Sequence, residues 1–78
     1  MNWTIRMHPA AIQSLYRIER GTAANVTEAL RRLTRNPRPT NAEPVVERPG
    51  VYTIEASGYI IGYQVNEAEK VINVAWIE

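Results

Sequence analysis

The stretch Gly50 to Val65, GVYTIEASGYIIGYQV, constrains this chain more than any other. Tyr52, Ile54 and Ala56 alternate along one run, and Tyr59, Ile61, Tyr63 and Val65 alternate along the next. Ser57-Gly58 separates them, and glycine takes the positive φ that a tight hairpin turn requires. A β-hairpin with one apolar, aromatic-rich face follows. An isolated hairpin is marginal in water, so the rest of the chain must supply a further strand and a cover for that face.

There is little chain with which to do so. Seventy-eight residues are expected to form one domain, residues 1–78, with a thin core. Cysteine is absent, which excludes a disulfide framework and a thiolate metal site. His8 is the only histidine, so no metal site is expected, nor any cofactor. No apolar run approaches the ~20 residues of a membrane span, and Met1-Asn2-Trp3 does not begin a signal peptide. The expectation is a soluble, cytoplasmic protein without a membrane partner.

The net charge of +1 conceals a polar distribution. Residues 1–38 carry seven arginines against two glutamates, a net of +5, whereas residues 39–78 carry Arg48 and Lys70 against six glutamates, a net of −4. One half of the chain is suited to an acidic partner and the other is not.

Asn2 to Met7 alternates, with Trp3, Ile5 and Met7 on one side, and predicts a half-buried strand. His8-Pro9 opens a helix, because proline at the first helical position gives up an N–H that has no partner there. Ala11, Leu15 and Ile18 form its stripe, widened by Ile12 and Tyr16. Gly21-Thr22 breaks the pattern, with Thr22 as N-cap of a second helix that buries Ala23, Val26, Leu30 and Leu33. Asn36-Pro37-Arg38-Pro39 ends it. Thr40 to Pro49 reads as a loop. Strands Val51–Ala56, Tyr59–Val65 and Lys70–Ile77 then form a meander, with Asn66–Glu69 joining the last two. In the final strand Ile72, Val74 and Trp76 share a face, and Trp76 reads as core. Gly62, mid-strand, marks a bulge or close packing against a helix. The order β-α-α-β-β-β predicts an α+β fold, a two-helix hairpin packed on one mostly antiparallel sheet.

With these elements in place the chain resembles the RelE/ParE superfamily of type II toxin–antitoxin toxins. The resemblance spans nearly the whole length: Trp3-Thr4-Ile5 as first strand, Ala29-Leu30-x-x-Leu33 through Asn36-Pro37-Arg38-Pro39 as helix end, Gly50–Val65 as central hairpin, Val71–Ile77 as last strand. It implies a growth-regulating toxin, of the kind found in plasmid stabilisation, that binds a cognate antitoxin. RelE-type members cleave mRNA on the ribosome, which takes cations for the phosphate, a base for the 2′-OH and an acid for the leaving oxygen. The positions that carry the family's basic residues hold Thr53, Glu55 and Ile60 here. Glu43-Pro44-Val45 resembles the E-P-L context of a glutamate base, so Glu43 is the one catalytic candidate, and without arginine partners it meets phosphate as a like charge. The bland reading of Glu43 is a solvated loop carboxylate.

Arg17, Arg20, Arg31, Arg32 and Arg35 are the expected antitoxin-binding residues; the alternative is a solvated helix exterior with Glu28 paired to Arg31 and Arg32. Arg48, Tyr52 and Tyr59 are candidates to face RNA or another target, against sheet packing of the tyrosines. The resemblance implies target binding of the ParE kind, with DNA gyrase as the example. Two readings stay open beside it: a ribosome-dependent endoribonuclease using Glu43 with Arg48 or Arg38, and a degenerate member that binds antitoxin and harms nothing.

Overall fold

The computed structural model describes residues 3–78. Its elements are β1 (Thr4–Met7), α1 (Pro9–Arg17), α2 (Arg20–Leu33), β2 (Glu43–Pro44), β3 (Val51–Ala56), β4 (Tyr59–Asn66) and β5 (Val71–Ile77). They form one five-stranded sheet in the order β1-β5-β4-β3-β2. β1 runs parallel to β5, and every other neighbouring pair is antiparallel. The expected helix pair and meander are present. The loop expected over Thr40–Pro49 contains β2, which pairs Glu43 with Thr53 and Pro44 with Tyr52. The first strand starts at Thr4, and the part of that expectation on Asn2 lies outside the described residues.

Local chemistry sets the element ends. His8 Nδ1 accepts a hydrogen bond from Ala10 N–H at 3.0 Å and caps α1, with Pro9 at its first position. The N-cap of α2 is Glu19, not Thr22. Its carboxylate accepts from Gly21 N–H at 2.7 Å and Thr22 N–H at 3.2 Å, so Gly21 and Thr22 lie inside the first turn. These bonds, led by the one from Gly21, hold the Glu19 carboxyl below the usual carboxylate range. The cap is therefore in place at neutral pH and is lost as pH falls through that lowered value. In the hairpin turn both Ser57 and Gly58 take positive φ, 52° and 84°, as a two-residue primed turn requires.

Both helices pack on one face of the sheet. Ala11, Ile18, Val26, Leu30 and Leu33 meet Ile54, Ile61, Tyr63, Val65, Ile72, Val74 and Ile77 in a single buried cluster. Tyr16 does not join it: at about 100° per residue it lies some 140° round α1 from Ala11, and it is 84% exposed, beside Ile12 at 37%. Tyr63 ties the exit of α2 to the sheet. Its ring is fully buried and its hydroxyl donates to the Pro37 carbonyl at 2.7 Å. Tyr52 stacks on that ring at 5.9 Å between centroids, and Arg38 Nε donates to Tyr52 Oη at 3.0 Å while pairing with Glu67.

One inserted residue decides which side of the sheet the end of β5 faces. Tyr63 pairs with Val74, but Gly62 pairs with Trp76, leaving Ala75 without a partner on β4. In an unbroken ladder Trp76 would oppose Ile61 and enter the core. The bulge reverses the alternation, so Ile77 is buried against Ile61 and Trp76 turns to the opposite face. The assignment of Trp76 to the core, sharing a face with Ile72 and Val74, is thereby corrected. Gly62 makes room for the indole: a Cβ there would lie 2.1 Å from Trp76 Cε2. The close contact expected at Gly62 is with this ring rather than with a helix.

Two measurements probe this framework. Gly62→Ala is expected to lose about 1–3 kcal/mol in urea unfolding through overpacking, with most of it recovered in Gly62→Ala/Trp76→Ala; an unchanged midpoint contradicts the ring contact. Burial pushes the Tyr63 hydroxyl up to about 12. Its contribution to stability is full below the ordinary tyrosine value and disappears as pH rises through about 12. Tyr63→Phe should cost about 1–3 kcal/mol by leaving the Pro37 carbonyl unpaired. It should also remove the most alkaline step of the tyrosine absorbance titration.

Candidate functional site

The two sides of the sheet present different chemistry. On the helical side, Arg20 and Arg31 lie within about 20° of each other when α2 is followed at 100° per residue, and Arg35 stands two residues past the end of that helix. They are exposed, with exposed Ala24 and Thr27 between them. Arg17 stands in the last turn of α1, where a cation meets the negative end of the helix dipole. Arg31 and Arg32 each approach Glu28, at 3.6 and 3.8 Å, and all three side chains stay solvated. Such pairs contribute little and break readily, so the arginines are available to a partner. Tyr16 and Ile12 add an apolar patch on α1 that the sequence reading had assigned to the core. Following the helix by angle rather than by i+4 steps separates Tyr16 from the buried stripe.

Arg32 lies off that stripe and lines a cleft of about 490 Å³ between α2 and β3. Ala29, Leu33, Ile54 and Ala56 give this cleft apolar walls, and Glu28, Arg32 and Glu55 stand at it as charges. The expected partner-binding arginines therefore fall in two groups: Arg20 and Arg31 on α2, with Arg17 near its start and Arg35 past its end, and Arg32 at the cleft.

Next to that cleft, a shallow groove of about 350 Å³ passes round β3 toward the other side of the sheet, lined by Glu43, Thr53, Ser57 and Ile60 together with Asn41, Ile54 and Glu55, which the cleft shares. The register explains the gathering. Glu43 pairs with Thr53 on β3, and Glu55 pairs with Ile60 on β4. The three positions at which the resembling nucleases carry basic residues thus come together beside Glu43, and among the described residues no arginine or lysine lines the groove. Arg48 lines a separate groove of about 370 Å³ with Pro49, Gln64, Ala75 and Trp76. Arg38 is held by Tyr52 and Glu67, and these bonds, the one to Tyr52 first, raise its already high pKa. The structure does not bring Glu43, Arg38 and Arg48 into one site.

Tyr52 and Tyr59 alternate with Ile54 and Ile61 on the helical side and pack against the core, half-buried. They are on the opposite face from Arg48 and Trp76. Trp76 is the aromatic that lines an outer-face groove, and sequence reasoning missed it because a bulge leaves no mark on hydrophobic alternation. The glycine opposite it, Gly62, was the available signal. Among the described residues no cluster of histidine, aspartate or glutamate is arranged to hold a metal ion, and no helix is long and apolar enough to cross a membrane.

Known proteins of this shape share its arrangement of elements. The RelE-type chain of the Escherichia coli RelBE toxin–antitoxin complex superposes with a TM-score of 0.84 at 20% identity, over 96% of this chain and 93% of that one. The RelBE2 toxin–antitoxin complex of Mycobacterium tuberculosis gives 0.84 at 20% identity, over 100% and 98%. The archaeal RelE–RelB complex of Pyrococcus horikoshii gives 0.77 at 19% identity, over 100% and 94%. At such identities the likeness speaks for the fold. No curated protein sequence matches the chain significantly. The family model described as the ParE toxin of the type II toxin–antitoxin system parDE matches residues 5–77. Because that match takes in both helices and, but for Thr4, every strand, the chain belongs to the ParE toxin family of type II toxin–antitoxin systems.

Proposed function

We propose that this toxin is held by its cognate antitoxin across the helical face and acts by binding a target protein rather than by cleaving RNA. The observation that carries the reading is the groove at Glu43. Phosphoryl chemistry on RNA needs cations where the phosphate sits and where negative charge develops. At this groove stand Glu43 and Glu55 with Thr53 and Ile60, and the nearest arginines in sequence serve elsewhere. A carboxylate pair in that position repels the substrate that a nuclease would have to hold. Target binding of the ParE kind, DNA gyrase being the example, asks for no such cations.

The helical face supports the antitoxin half of the proposal. Arg17, Arg20, Arg31, Arg32 and Arg35 are exposed, Tyr16 and Ile12 offer an apolar anchor, and the cleft between α2 and β3 offers an apolar floor for an extended or helical tail. Arginine and tyrosine are the residue types that dominate protein interfaces. The solved toxin–antitoxin complexes share the fold that presents such a face.

Reversing Arg31, Arg32 and Arg35 to glutamate should weaken the complex with the antitoxin roughly 100-fold, at about 1 kcal/mol for each exposed charge. Calorimetric titration of the purified pair measures it. An unchanged Kd means that this face is not the dock. Glu43→Ala is expected to leave cellular mRNA uncut in primer-extension mapping, as the wild-type chain does.

A further inference from the structure

The proposed function does not use the sheet face opposite the helices, and that face is organised. Its register gives three rows across the strands. In the first, Arg6 pairs with Asn73, Asn73 with Gln64 and Gln64 with Val51, with Arg48 beside Val51 at the groove that Trp76 also lines. The second row runs from Trp76 over Gly62 to Thr53 and Glu43. In the third, Glu78 exchanges backbone hydrogen bonds with Ile60 at 2.7 and 2.9 Å, and Ile60 pairs with Glu55. Cations thus bound one side of the face, carboxylates bound the other, and Trp76 lies between them. No described element covers it: both helices pack on the other side. Ile60 is 37% exposed there, and Gln64 and Ala75 are exposed.

Two features set this face apart from a solvated exterior. The Ala75 bulge places a tryptophan outside although an unbroken ladder would bury it, and a glycine opposite gives its ring a flat bed. Aromatic rings fixed on a rigid sheet lose little entropy on contact, and tryptophan and arginine are among the residues enriched at interface centres. The charge pattern selects the occupant. A nucleic acid would bring phosphates onto Glu43, Glu55 and Glu78, and a uniformly basic or acidic surface would meet one favourable row and one repulsive row.

We propose that this face, centred on Trp76, is the surface by which the toxin grips its target. The target is a folded protein presenting carboxylates toward Arg6 and Arg48, cations toward Glu43, Glu55 and Glu78, and an apolar recess for Trp76 and Ile60. This rests on the target-binding half of the proposed function and is independent of the antitoxin half.

The test uses the full chain induced in a bacterial host, with its antitoxin on a second promoter and the antitoxin Kd measured in parallel. Trp76→Ala and, in case that variant fails to fold, Ile60→Glu at an exposed site should each raise the inducer needed for growth arrest about tenfold or more, as an interface centre demands. Antitoxin affinity should stay within about twofold of wild type, since neither Trp76 nor Ile60 lines the cleft between α2 and β3 or lies on a helix. The Arg31, Arg32 and Arg35 reversal should do the opposite, keeping arrest and losing rescue. Undiminished arrest by both sheet variants overturns the proposal. A parallel loss of antitoxin affinity in both makes the face part of the antitoxin dock and also overturns it. RNA cleavage by the wild-type chain would assign the face to a nucleic acid. A wild-type chain that arrests nothing leaves it without a target, while antitoxin binding stands.

Discussion

The division of this sheet into two chemically distinct faces depends on one residue without a partner, Ala75, opposite the Gly62–Tyr63 step. On the β4 side, Gly62 lies under an indole and Tyr63 reaches through the core to the Pro37 carbonyl. On the β5 side, Val74 and Ile77 both point into the core although three residues apart, which strict alternation forbids. Shift that register by one and Trp76 would oppose Ile61 in the core while Ile77 turned to the outer face. The bulge therefore settles core packing and outer surface together.

The thinness of the core makes the tie around Tyr63 matter. Leu33 ends α2 inside the core, and the chain then turns outward at Thr34, whose hydroxyl donates to the Arg31 carbonyl at 2.6 Å. Pro37, Arg38 and Tyr52 fasten that turn to β3 and β4, and Asn36 Oδ1 accepts from Arg38 N–H at 3.2 Å. Arg38 thus holds the helical layer on the sheet, which removes it from the pool of cations that a ligand could use. At the other edge Lys70 is similarly engaged, its ammonium 4.8 Å from the centroid of the Trp3 ring. Once these ties are set aside, the free arginines fall mainly along the helices, and the carboxylates of Glu43 and Glu55 remain on the sheet.

Most of the architecture was legible from period and punctuation. The hairpin, the second helix and its buried stripe, the helix stop at Asn36-Pro37 and the α+β order all appear in the residues, because a two-residue turn, a 3.6 period and a proline each have a local physical cause. The start of α1 at His8-Pro9 was legible for the same reason. Three features were not. Glu19 caps α2 because a carboxylate reaches two free N–H groups, outcompeting the better-ranked Thr22. Tyr16 was counted as buried by spacing, whereas the short α1 presents too narrow a face to the sheet. Trp76 depended on a bulge that only strand pairing reveals. In the candidate site, the absence of cations at Thr53, Glu55 and Ile60 was readable as composition. That these positions share a groove with Glu43, while Arg48 shares another with Trp76, required the register.

The central claim is that this member of the family works by gripping a protein and not by cutting RNA. The most direct measurement is primer-extension mapping of cellular mRNA after brief induction of the chain, with gyrase-dependent supercoiling of a reporter plasmid followed in the same cells. The account predicts growth arrest without new cleavage sites in translated mRNA. Cleavage at ribosomal A sites that disappears with Glu43→Ala would contradict it.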